Sequence, residues 1–301
     1  MNSGRSPSRG KHIAVMRREV LQYLELAEGL TVVDGTVGAG GHSADILSRI
    51  GPSGRLIGID RDTAMLDIAR KKLQALNVIL EQDSYANLEE ILQRHEIGQV
   101  DRILLDVGLS SVQLSDPDRG FGFESEGLLD MRYDSSKGQP AWQLLESIEE
   151  GELVRLLEEY GEEPFAKKIA FQIVSTRGRS PIRTPADLIA TVEAALPSAV
   201  VAKSRKEPAT RVFQALRIAV NQELDQLQIA LDHVLYDSLK PGGIAVIISF
   251  HSLEDVRVKQ EFRRQERWQI LTPKPVTASP SEIRGNPRSR TAKLRGARKR
   301  P

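Results

Sequence analysis

A glycine-rich turn directly after a short apolar run constrains the fold of this 301-residue chain more than any other feature. The run Thr31–Asp34 leads into the segment Asp34–Ser43, which contains four glycines, and a stretch with helical spacing follows. Glycine adopts positive φ without strain and lets a ligand approach the backbone closely. The sequence therefore predicts a strand, a ligand-binding turn and a helix, in that order.

Strand and helix patterns then alternate along the first third of the chain. Further apolar runs occupy Arg55–Asp60, Asn77–Glu81 and Arg102–Asp106, and the stretches between them have helical spacing. Such alternation is typical of a parallel sheet with helices on both faces. A fifth strand pattern, Ile244–Ser249, comes much later in the chain. The sequence thus predicts an α/β fold whose sheet is completed by the C-terminal part.

The alternation stops between the fourth and fifth strand patterns. Residues 115–210 contain helical periodicities but no strong strand pattern. We therefore expect an inserted helical domain over 115–210, and a core built from 1–114 and 211–301. A single long helix is expected from Arg211 through Leu235, because apolar residues continue at helical spacing across this range.

Composition narrows the protein class. The chain has no cysteine, which excludes disulfides and cysteine nucleophiles, and its five histidines lack metal-ligand spacing, so we expect no metal site. Charged residues make up 28% of the chain, and no apolar run approaches twenty residues, so we expect no membrane segment. The first residues are polar and basic without an apolar stretch, which leads us to expect a cytoplasmic protein.

Positive charge is concentrated at both ends of a chain whose net charge is only +1. Residues 284–300 carry eight basic residues and no acid, and the first eighteen residues carry five basic residues and no acid. This pattern predicts a polyanionic partner, and the alternative is a solvated tail. We expect the C-terminal run to bind the polyanion without forming part of the ligand site at the glycine-rich turn.

Three of the predicted strands end in an acid: Asp34, Asp60 and Asp106. The carboxyl ends of parallel strands meet at one edge of a sheet, where ligands bind. Asp60 follows Gly40 by twenty residues, which is the place of an acid that hydrogen-bonds ribose hydroxyls in nucleotide-binding sheets. The sequence therefore predicts a nucleoside-containing cofactor at this edge.

Two cofactors fit this arrangement. A dinucleotide requires Gly-x-Gly-x-x-Gly, and here Gly38 and Gly40 are followed by Ser43, so the third glycine is missing. Asp34 would repel a pyrophosphate but suits a cationic ligand. S-adenosylmethionine carries an ammonium and a sulfonium, so we favour it and keep a nicotinamide-dependent oxidoreductase as the alternative.

Longer motifs identify a family. They are Asp34–Ser43, Gly58–Asp62, Leu104–Leu114, Arg119–Phe123, Leu129–Arg132, Pro208–Ala215 and Ile248–Asp255. Together they resemble the RsmH family, also called MraW, the bacterial 16S ribosomal RNA cytosine-N4 methyltransferases. The resemblance runs from about His12 to Arg290. One departure concerns Glu207, which stands where the family commonly has histidine before Pro-Ala-Thr-Arg.

The resemblance implies a class I, Rossmann-like S-adenosylmethionine methyltransferase with an inserted helical substrate-recognition domain. It implies methylation of the N4 of a cytidine in the decoding region of 16S ribosomal RNA, as naked RNA or as a small-subunit particle. The implied cofactor residues are Gly40, Gly41, His42, Asp60 at the ribose, Tyr85 beside the adenine, Asp106 and Gln113. The alternative is a non-catalytic small-subunit assembly factor that keeps the fold, and the sequence leaves open a homodimer.

The chemistry of an exocyclic amine requires a proton acceptor and a clamp for the base. Asp106, at the fourth strand end, is the candidate catalytic acceptor. Phe121, Phe123 and Phe250 are the candidates for an aromatic clamp, with core packing as the alternative for each. His251, followed closely by two acids, is expected either to contact RNA or to begin a helix.

Overall fold

Eight segments of the chain form strands of one sheet in the computed structural model, which describes residues 14–203 and 207–301. The basic residues Arg5, Arg9 and Lys11 lie outside these ranges. All five strand patterns of the sequence are strands in the structure, and the fifth is longer than expected. The strands are β1 (Thr31–Asp34), β2 (Arg55–Asp60), β3 (Val78–Gln82), β4 (Val100–Asp106), β5 (Leu239–Ser249), β6 (Trp268–Ile270), β7 (Val276–Thr277) and β8 (Lys293–Lys299).

The strand order is β3-β2-β1-β4-β5-β8-β6, with β7 paired to β8. Strands β1 to β5 are parallel, because β1 pairs with both β2 and β4, β2 with β3, and β4 with β5 in parallel register. Strand β8 pairs antiparallel with both β5 and β6. A largely parallel, doubly wound sheet of this kind is Rossmann-like, so the expected fold class is confirmed.

Helices follow most strands and cover both faces of the sheet. No helix within residues 14–203 and 207–301 is long and apolar enough to cross a membrane. The helices are α1 (Arg17–Leu24), α2 (Gly41–Ile50), α3 (Thr63–Lys72), α4 (Leu88–Arg94), α5 (Ser111–Ser115), α6 (Ala141–Ser147), α7 (Glu150–Glu159), α8 (Ala166–Thr176), α9 (Pro185–Ala195), α10 (Ser198–Lys203), α11 (Thr210–Asn221), α12 (Glu223–Ile229), α13 (Leu235–Ser238), α14 (Ser252–Phe262) and α15 (Pro280–Gly285).

Two apolar cores lie on opposite faces of the sheet, and successive side chains of each strand point alternately into one or the other. Ile103 and Leu105 of β4 pack into one cluster, and Leu104 between them packs into the cluster on the opposite face. Strands β1, β2 and β5 divide their side chains in the same way. Each fully buried aliphatic side chain contributes about 1.5–3 kcal/mol. The continuous apolar runs in the sequence are therefore explained by burial on both faces.

A third apolar cluster belongs to the segment between β4 and β5. The described residues between Ser115 and Thr210 form helices and loops without a strand. The cluster reaches from Phe121 through α6 to α9 and on to Leu216, which lies on α11. Helix α11, at the start of the predicted core segment 211–301, therefore packs against the helices of the segment between β4 and β5. The division of the chain into core and insertion stays a prediction.

The prediction of one long helix from Arg211 through Leu235 is wrong, because the helix is interrupted at Gln222. This residue has φ 52° and ψ 40°, in the left-handed region, and separates α11 from α12. The buried Asn221 amide donates to the Met131 carbonyl and accepts the Tyr133 N–H, both at 2.7 Å. These bonds hold the helix end against the 131–133 loop. The apolar spacing continues through the break, so periodicity did not reveal it.

The second part of the basic C-terminal run, β8, is in the sheet, and the binding of residues 284–300 to a polyanion stays a prediction. Arg295 is 8% exposed, and its Nε donates to Asp255 Oδ1 at 2.7 Å. Lys299 is equally buried, and its Nζ donates to two backbone carbonyls at 2.7 and 2.8 Å. Because β8 lies between β5 and β6, these charges stabilise the fold and are not presented to solvent.

Replacement of Arg295 by Gln is therefore expected to destabilise the protein. It leaves a nearly buried Asp255 carboxylate with only Lys293, whose Nζ is 3.3 Å away. We expect the free energy of unfolding in urea to fall by about 3 kcal/mol, the lower end of the cost of breaking a buried ion pair. Arg300→Gln, at the exposed end of the chain, is the control and should change stability by less than about 0.5 kcal/mol. Wild-type stability of Arg295→Gln would contradict this assignment.

Candidate active site

A cavity lies at the carboxyl ends of the parallel strands. It contains about 1040 Å³ of empty space, part of it open to solvent. The strand order reverses between β1 and β4, and open α/β sheets bind their ligands in the crevice at such a point. Each of the five parallel strands is followed by residues of the cavity wall, among them Gly35, Asp60, Tyr85, Asp106 and Phe250.

Asp34 lies behind the turn and outside the cavity wall, which corrects its expected role beside a cationic ligand. Its carboxylate accepts the Ser43 hydroxyl at 2.6 Å and the Thr36 N–H at 3.3 Å, and it is 1% exposed. Burial raises the pKa of this carboxyl. The residue ties the end of β1 to the first turn of α2, so its function is to shape the turn.

The resemblance implies three residues of the glycine-rich turn, of which one shapes the turn and two line the cavity. Gly40 has φ 71° and stands directly before α2, behind the wall, where a left-handed conformation favours glycine. A side chain there would also come within 3.2 Å of Leu73. Gly41 and His42 line the cavity itself. The geometry therefore places Gly41 and His42 in the cavity wall and Gly40 behind it, and the cofactor contacts of all three stay a prediction.

Asp60 lines the cavity at the end of β2, as the sequence predicts. Its Oδ2 accepts the Gly38 N–H at 2.8 Å, and its Oδ1 accepts the Asp62 N–H at 2.9 Å. Burial raises the pKa of the Asp60 carboxyl to about 7, although both N–H groups act to lower it. The second lone pair of each oxygen remains for ligand hydroxyls.

Asp106 and His42 are neighbours in the cavity wall. His42 Nε2 lies 3.6 Å from Asp106 Oδ2. Among the described residues, Asp106 Oδ1 and both ring nitrogens of His42 are buried without a hydrogen-bond partner. A buried polar atom without a partner costs about 1–3 kcal/mol, so these atoms are arranged for a polar ligand.

Gln113 lines the cavity, but most of its amide is used within the protein. Its Nε2 donates to Asp62 Oδ2 at 2.9 Å, and its Oε1 accepts the Ser110 N–H at 2.9 Å. The Ser110 hydroxyl in turn accepts the Gln113 N–H and begins α5. Gln113 thus joins the loops after β2 and β4, and its role toward a cofactor stays a prediction.

Two glutamates complete the cavity wall; the sequence analysis missed Glu223 and considered Glu254 only as one of the two acids that follow His251. Glu223 accepts from Arg217 Nε and Nη2 at 2.8 and 3.0 Å, and from the Tyr133 hydroxyl at 2.9 Å. Glu254 lies on α14, and burial together with these two carboxylates raises the pKa of the Tyr85 hydroxyl. The helix break before Glu223 turns it into the cavity, and no spacing rule signalled that break.

The motif at His251 begins a helix, which is one of its two expected roles. Glu254 Oε2 accepts the Phe250 N–H at 2.8 Å and the His251 N–H at 3.3 Å, at the start of α14. The His251 side chain is 10% exposed, and its Nε2 lies 2.9 Å from Glu254 Oε1. Little of the ring is therefore accessible for the RNA contact that was the other expectation.

The side chains of Glu223, His251 and Glu254 bring three metal-type donor atoms within 4.8 Å of one another. Arg217 contacts both oxygens of Glu223 and supplies the positive charge that a cation would bring. One oxygen of Glu254 accepts backbone N–H groups. Both carboxylates are thus compensated within the described chain, and we assign no ion to the cluster.

Of the three candidate phenylalanines, Phe250 alone lines this cavity. Its ring lies against the α-carbon of Gly108, where a side chain would come within 2.4 Å of it. Phe121 stacks on Tyr133 with ring centroids 5.7 Å apart, inside the helical cluster. Phe123 packs edge-on against another phenylalanine of that cluster. Core packing therefore explains Phe121, whereas Phe123 is 39% exposed and is not explained by core packing.

Glu207 lies at the start of α11 and outside the cavity wall. Its carboxylate accepts the Ala209 N–H at 3.3 Å, and its carbonyl accepts the N–H and the hydroxyl of Thr210 at 3.0 and 2.6 Å. A helix start needs such acceptors. Glutamate at this position therefore has a local structural function.

Known proteins similar to the chain cover nearly all of it. The model of the MraW methylase family matches residues 9–300. A ribosomal RNA small subunit methyltransferase H from Trichlorobacter lovleyi is 44% identical over 308 residues, with 96% of this chain and 98% of that protein covered. One from Thermotoga neapolitana is 46% identical over 289 residues, with 95% of each covered. A SAM-dependent O-methyltransferase structure from Thermotoga maritima has a TM-score of 0.42 at 11% identity, covering 98% of this chain and 69% of that chain.

The pKa of Asp60 leads to a pH prediction for S-adenosylmethionine binding. Only the ionised carboxylate accepts two ribose hydroxyls and attracts a cationic ligand. With a pKa of about 7, its ionised fraction falls roughly tenfold between pH 8 and pH 6, so we expect affinity to weaken by about that factor as the pH falls. Calorimetric titrations across this range measure it.

Asp60→Asn is the matched control, because it keeps the shape of the side chain without the charge. It should weaken binding at pH 8 by about 1.5–3 kcal/mol, the value of a charged hydrogen bond, and flatten the pH profile. A pH profile that is identical in the wild type and in Asp60→Asn would remove Asp60 from the cofactor site.

Proposed function

The chain belongs to the MraW methylase family, and on that premise we propose that it methylates the exocyclic N4 of a cytidine in the decoding region of 16S ribosomal RNA. The coarser statement is that it is an S-adenosylmethionine-dependent methyltransferase of the small-subunit ribosomal RNA type. The finer assignment is supported chiefly by one observation, the buried and unpaired Oδ1 of Asp106 at the strand end where an acceptor must meet the cofactor.

The residues of the cavity suit the cofactor. Gly41 and His42 would hold its methionine part, Asp60 its ribose hydroxyls, and Tyr85 would lie beside its adenine. Gln113, beside Asp62, would complete the wall. When bound, the cofactor supplies a methyl group on a positively charged sulfur, which is a strong electrophile. The acids around the cavity favour this positive charge.

Asp106 is the residue that we assign to the proton. The N4 lone pair of cytosine is delocalised into the ring, so the amine is a weak nucleophile. Asp106 Oδ1 would accept the hydrogen bond from N4–H and would take that proton when N4 gains the methyl group of the bound cofactor. His42 Nε2 lies 3.6 Å from Asp106 Oδ2, beside the same end of the cavity. A positioned base of this kind contributes about 10²–10⁴ to the rate.

Phe250 provides the face on which the target base would stack. A base within structured RNA must leave its stack to reach an enclosed donor. Phe250 follows β5 and packs on Gly108, which follows β4, so its ring lies beside the Asp106 end of the cavity. We propose small-subunit RNA, free or assembled, as the substrate and the cytoplasm as the place of action; a homodimer stays a prediction.

Phe250 should act on the acceptor and leave the cofactor unaffected. Stacking of a base on an aromatic ring is worth about 1–3 kcal/mol, so Phe250→Leu should lower kcat/KM for RNA by the corresponding factor. Affinity for S-adenosylmethionine should stay at the wild-type value. Phe250→Tyr keeps the ring and should restore most of the activity. If Leu and Tyr variants are equally active, the ring does not hold the base.

The decisive experiment measures the modified nucleoside directly. Small subunits lacking the methylation are incubated with the protein and S-adenosylmethionine, the RNA is digested, and N4-methylcytidine is quantified by mass spectrometry. The wild type should form it, and Asp106→Asn should lower kcat by about 10²–10⁴, because an amide cannot take the proton. Formation of another methylated nucleoside would contradict the N4 assignment, and no methylation would favour the non-catalytic assembly factor.

A further inference from the structure

Arg288 lies on a rigid turn between α15 and β8. The turn, Pro287–Thr291, begins with a proline and contains Ser289, which is fully buried. The preceding helix is held to the start of the described chain, because Glu282 Oε1 accepts the Met16 N–H at 2.6 Å. The backbone at Arg288 is therefore held in place by its neighbours.

The Arg288 guanidinium lines the same cavity as Asp106. Its Nη1 donates to the Ser111 hydroxyl at 2.7 Å, and within residues 14–203 and 207–301 no carboxylate lies within 4 Å of it. Arg217, by contrast, forms two hydrogen bonds to Glu223. Burial lowers the pKa of Arg288, while the negative charge of Asp106 acts to raise it and Arg217 adds a smaller lowering effect. A partly buried cation with one neutral partner is arranged for an anion.

The position of Arg288 indicates which anion it meets. Ser111 follows β4, on the acceptor side of the cavity. The glycine-rich turn follows β1, and Asp60 ends β2, so the cofactor residues lie toward the other side of the strand order. The anionic group on the acceptor side of a nucleotide is its phosphate. The carboxylate of the cofactor is the other source of an anion, and it belongs with the turn after β1.

Two further arginines are exposed: Arg284 on the preceding helix α15 and Arg290 within the turn itself. Such an arrangement suits a nucleic-acid backbone that passes over the protein and sends one nucleotide into the cavity. The RNA-binding part of the basic C-terminal run is then residues 284–290, since Arg295 and Lys299 of β8 are buried in the sheet.

We propose that Arg288 binds a phosphate of the RNA strand that carries the target base and thereby positions that base at Asp106. The inference rests on the proposed function, because it takes RNA as the acceptor. Arginine donates two parallel N–H bonds to phosphate, which fixes orientation as well as supplying charge.

The test compares Arg288→Gln and Arg288→Lys with Arg300→Gln. Arg300 is a matched control: β8 runs antiparallel to β5, with Lys293 opposite Ser249 and Arg298 opposite Ile244, so Arg300 lies at the sheet edge away from the cavity. Binding to unmethylated small subunits is measured over a range of salt, with methyl transfer and calorimetric S-adenosylmethionine affinity in parallel.

We expect Arg288→Gln to lower kcat/KM for small subunits by about 10- to 100-fold, with S-adenosylmethionine affinity within about twofold of the wild type. The slope of log K against log salt should become shallower by about 0.7–0.9, the value of one phosphate contact. Arg288→Lys should recover part of the loss, and Arg300→Gln should behave as the wild type.

Three results would overturn the inference: an unchanged salt slope in Arg288→Gln, a loss confined to S-adenosylmethionine affinity, or a Lys variant whose salt slope is as shallow as that of the Gln variant. Thermal unfolding of both variants shows whether they are folded, and the charge-retaining Lys variant supplies the comparison if Gln is unstable. Failure of the wild type to methylate small subunits would count against the proposed function, whereas normal methylation by Arg288→Gln would count against this inference alone.

Discussion

Parallel pairing of β1 with both β2 and β4 determines where the chemistry of this protein takes place. Because Asp34 is in register with Gly58 and Leu104, the chain leaves all three strands at one edge, and the residues that follow meet in one cavity. The reversal of strand order between β1 and β4 opens a crevice there. Every functional assignment made here, from Asp60 to Asp106, depends on that register, since a slip of one residue would turn each side chain to the opposite face.

Buried ion pairs connect the helical part and the C-terminal strand to this sheet. Glu223, bound by Arg217 and the Tyr133 hydroxyl, joins α11 and α12 to the loop from the helical segment. Asp255, bound by Arg295, joins α14 to β8. Such pairs add little net stability relative to apolar packing, but breaking one leaves an uncompensated charge. They therefore favour one arrangement of the elements over others, and that arrangement shapes the cavity wall.

The cavity combines two electrostatic environments. Asp60, Asp106, Glu223 and Glu254 make the wall largely acidic, which suits a cationic methyl donor, while Arg61 after β2 and Arg288 before β8 introduce positive groups. Under the proposed assignment, most cofactor residues follow β1 to β3, Gln113 follows β4, and the acceptor residues come from β4, β5 and the turn before β8.

Local pattern was enough to predict the strands, the glycine-rich turn, and the places of Asp60 and Asp106, because these follow from apolar runs, glycine conformations and the common edge of parallel strands. The resemblance added His42 and Tyr85, both of which line the cavity. The sequence alone did not reveal the structural role of Asp34, the break at Gln222, the glutamates of the wall, or the division of the basic run between β8 and the Arg288 turn. Those features arise from contacts between segments far apart in the chain, such as Arg288 with Ser111 and Asn221 with Met131. Residue type and spacing determine what a segment can form, whereas a charge becomes a buried partner or a ligand contact only through the residues that folding places around it.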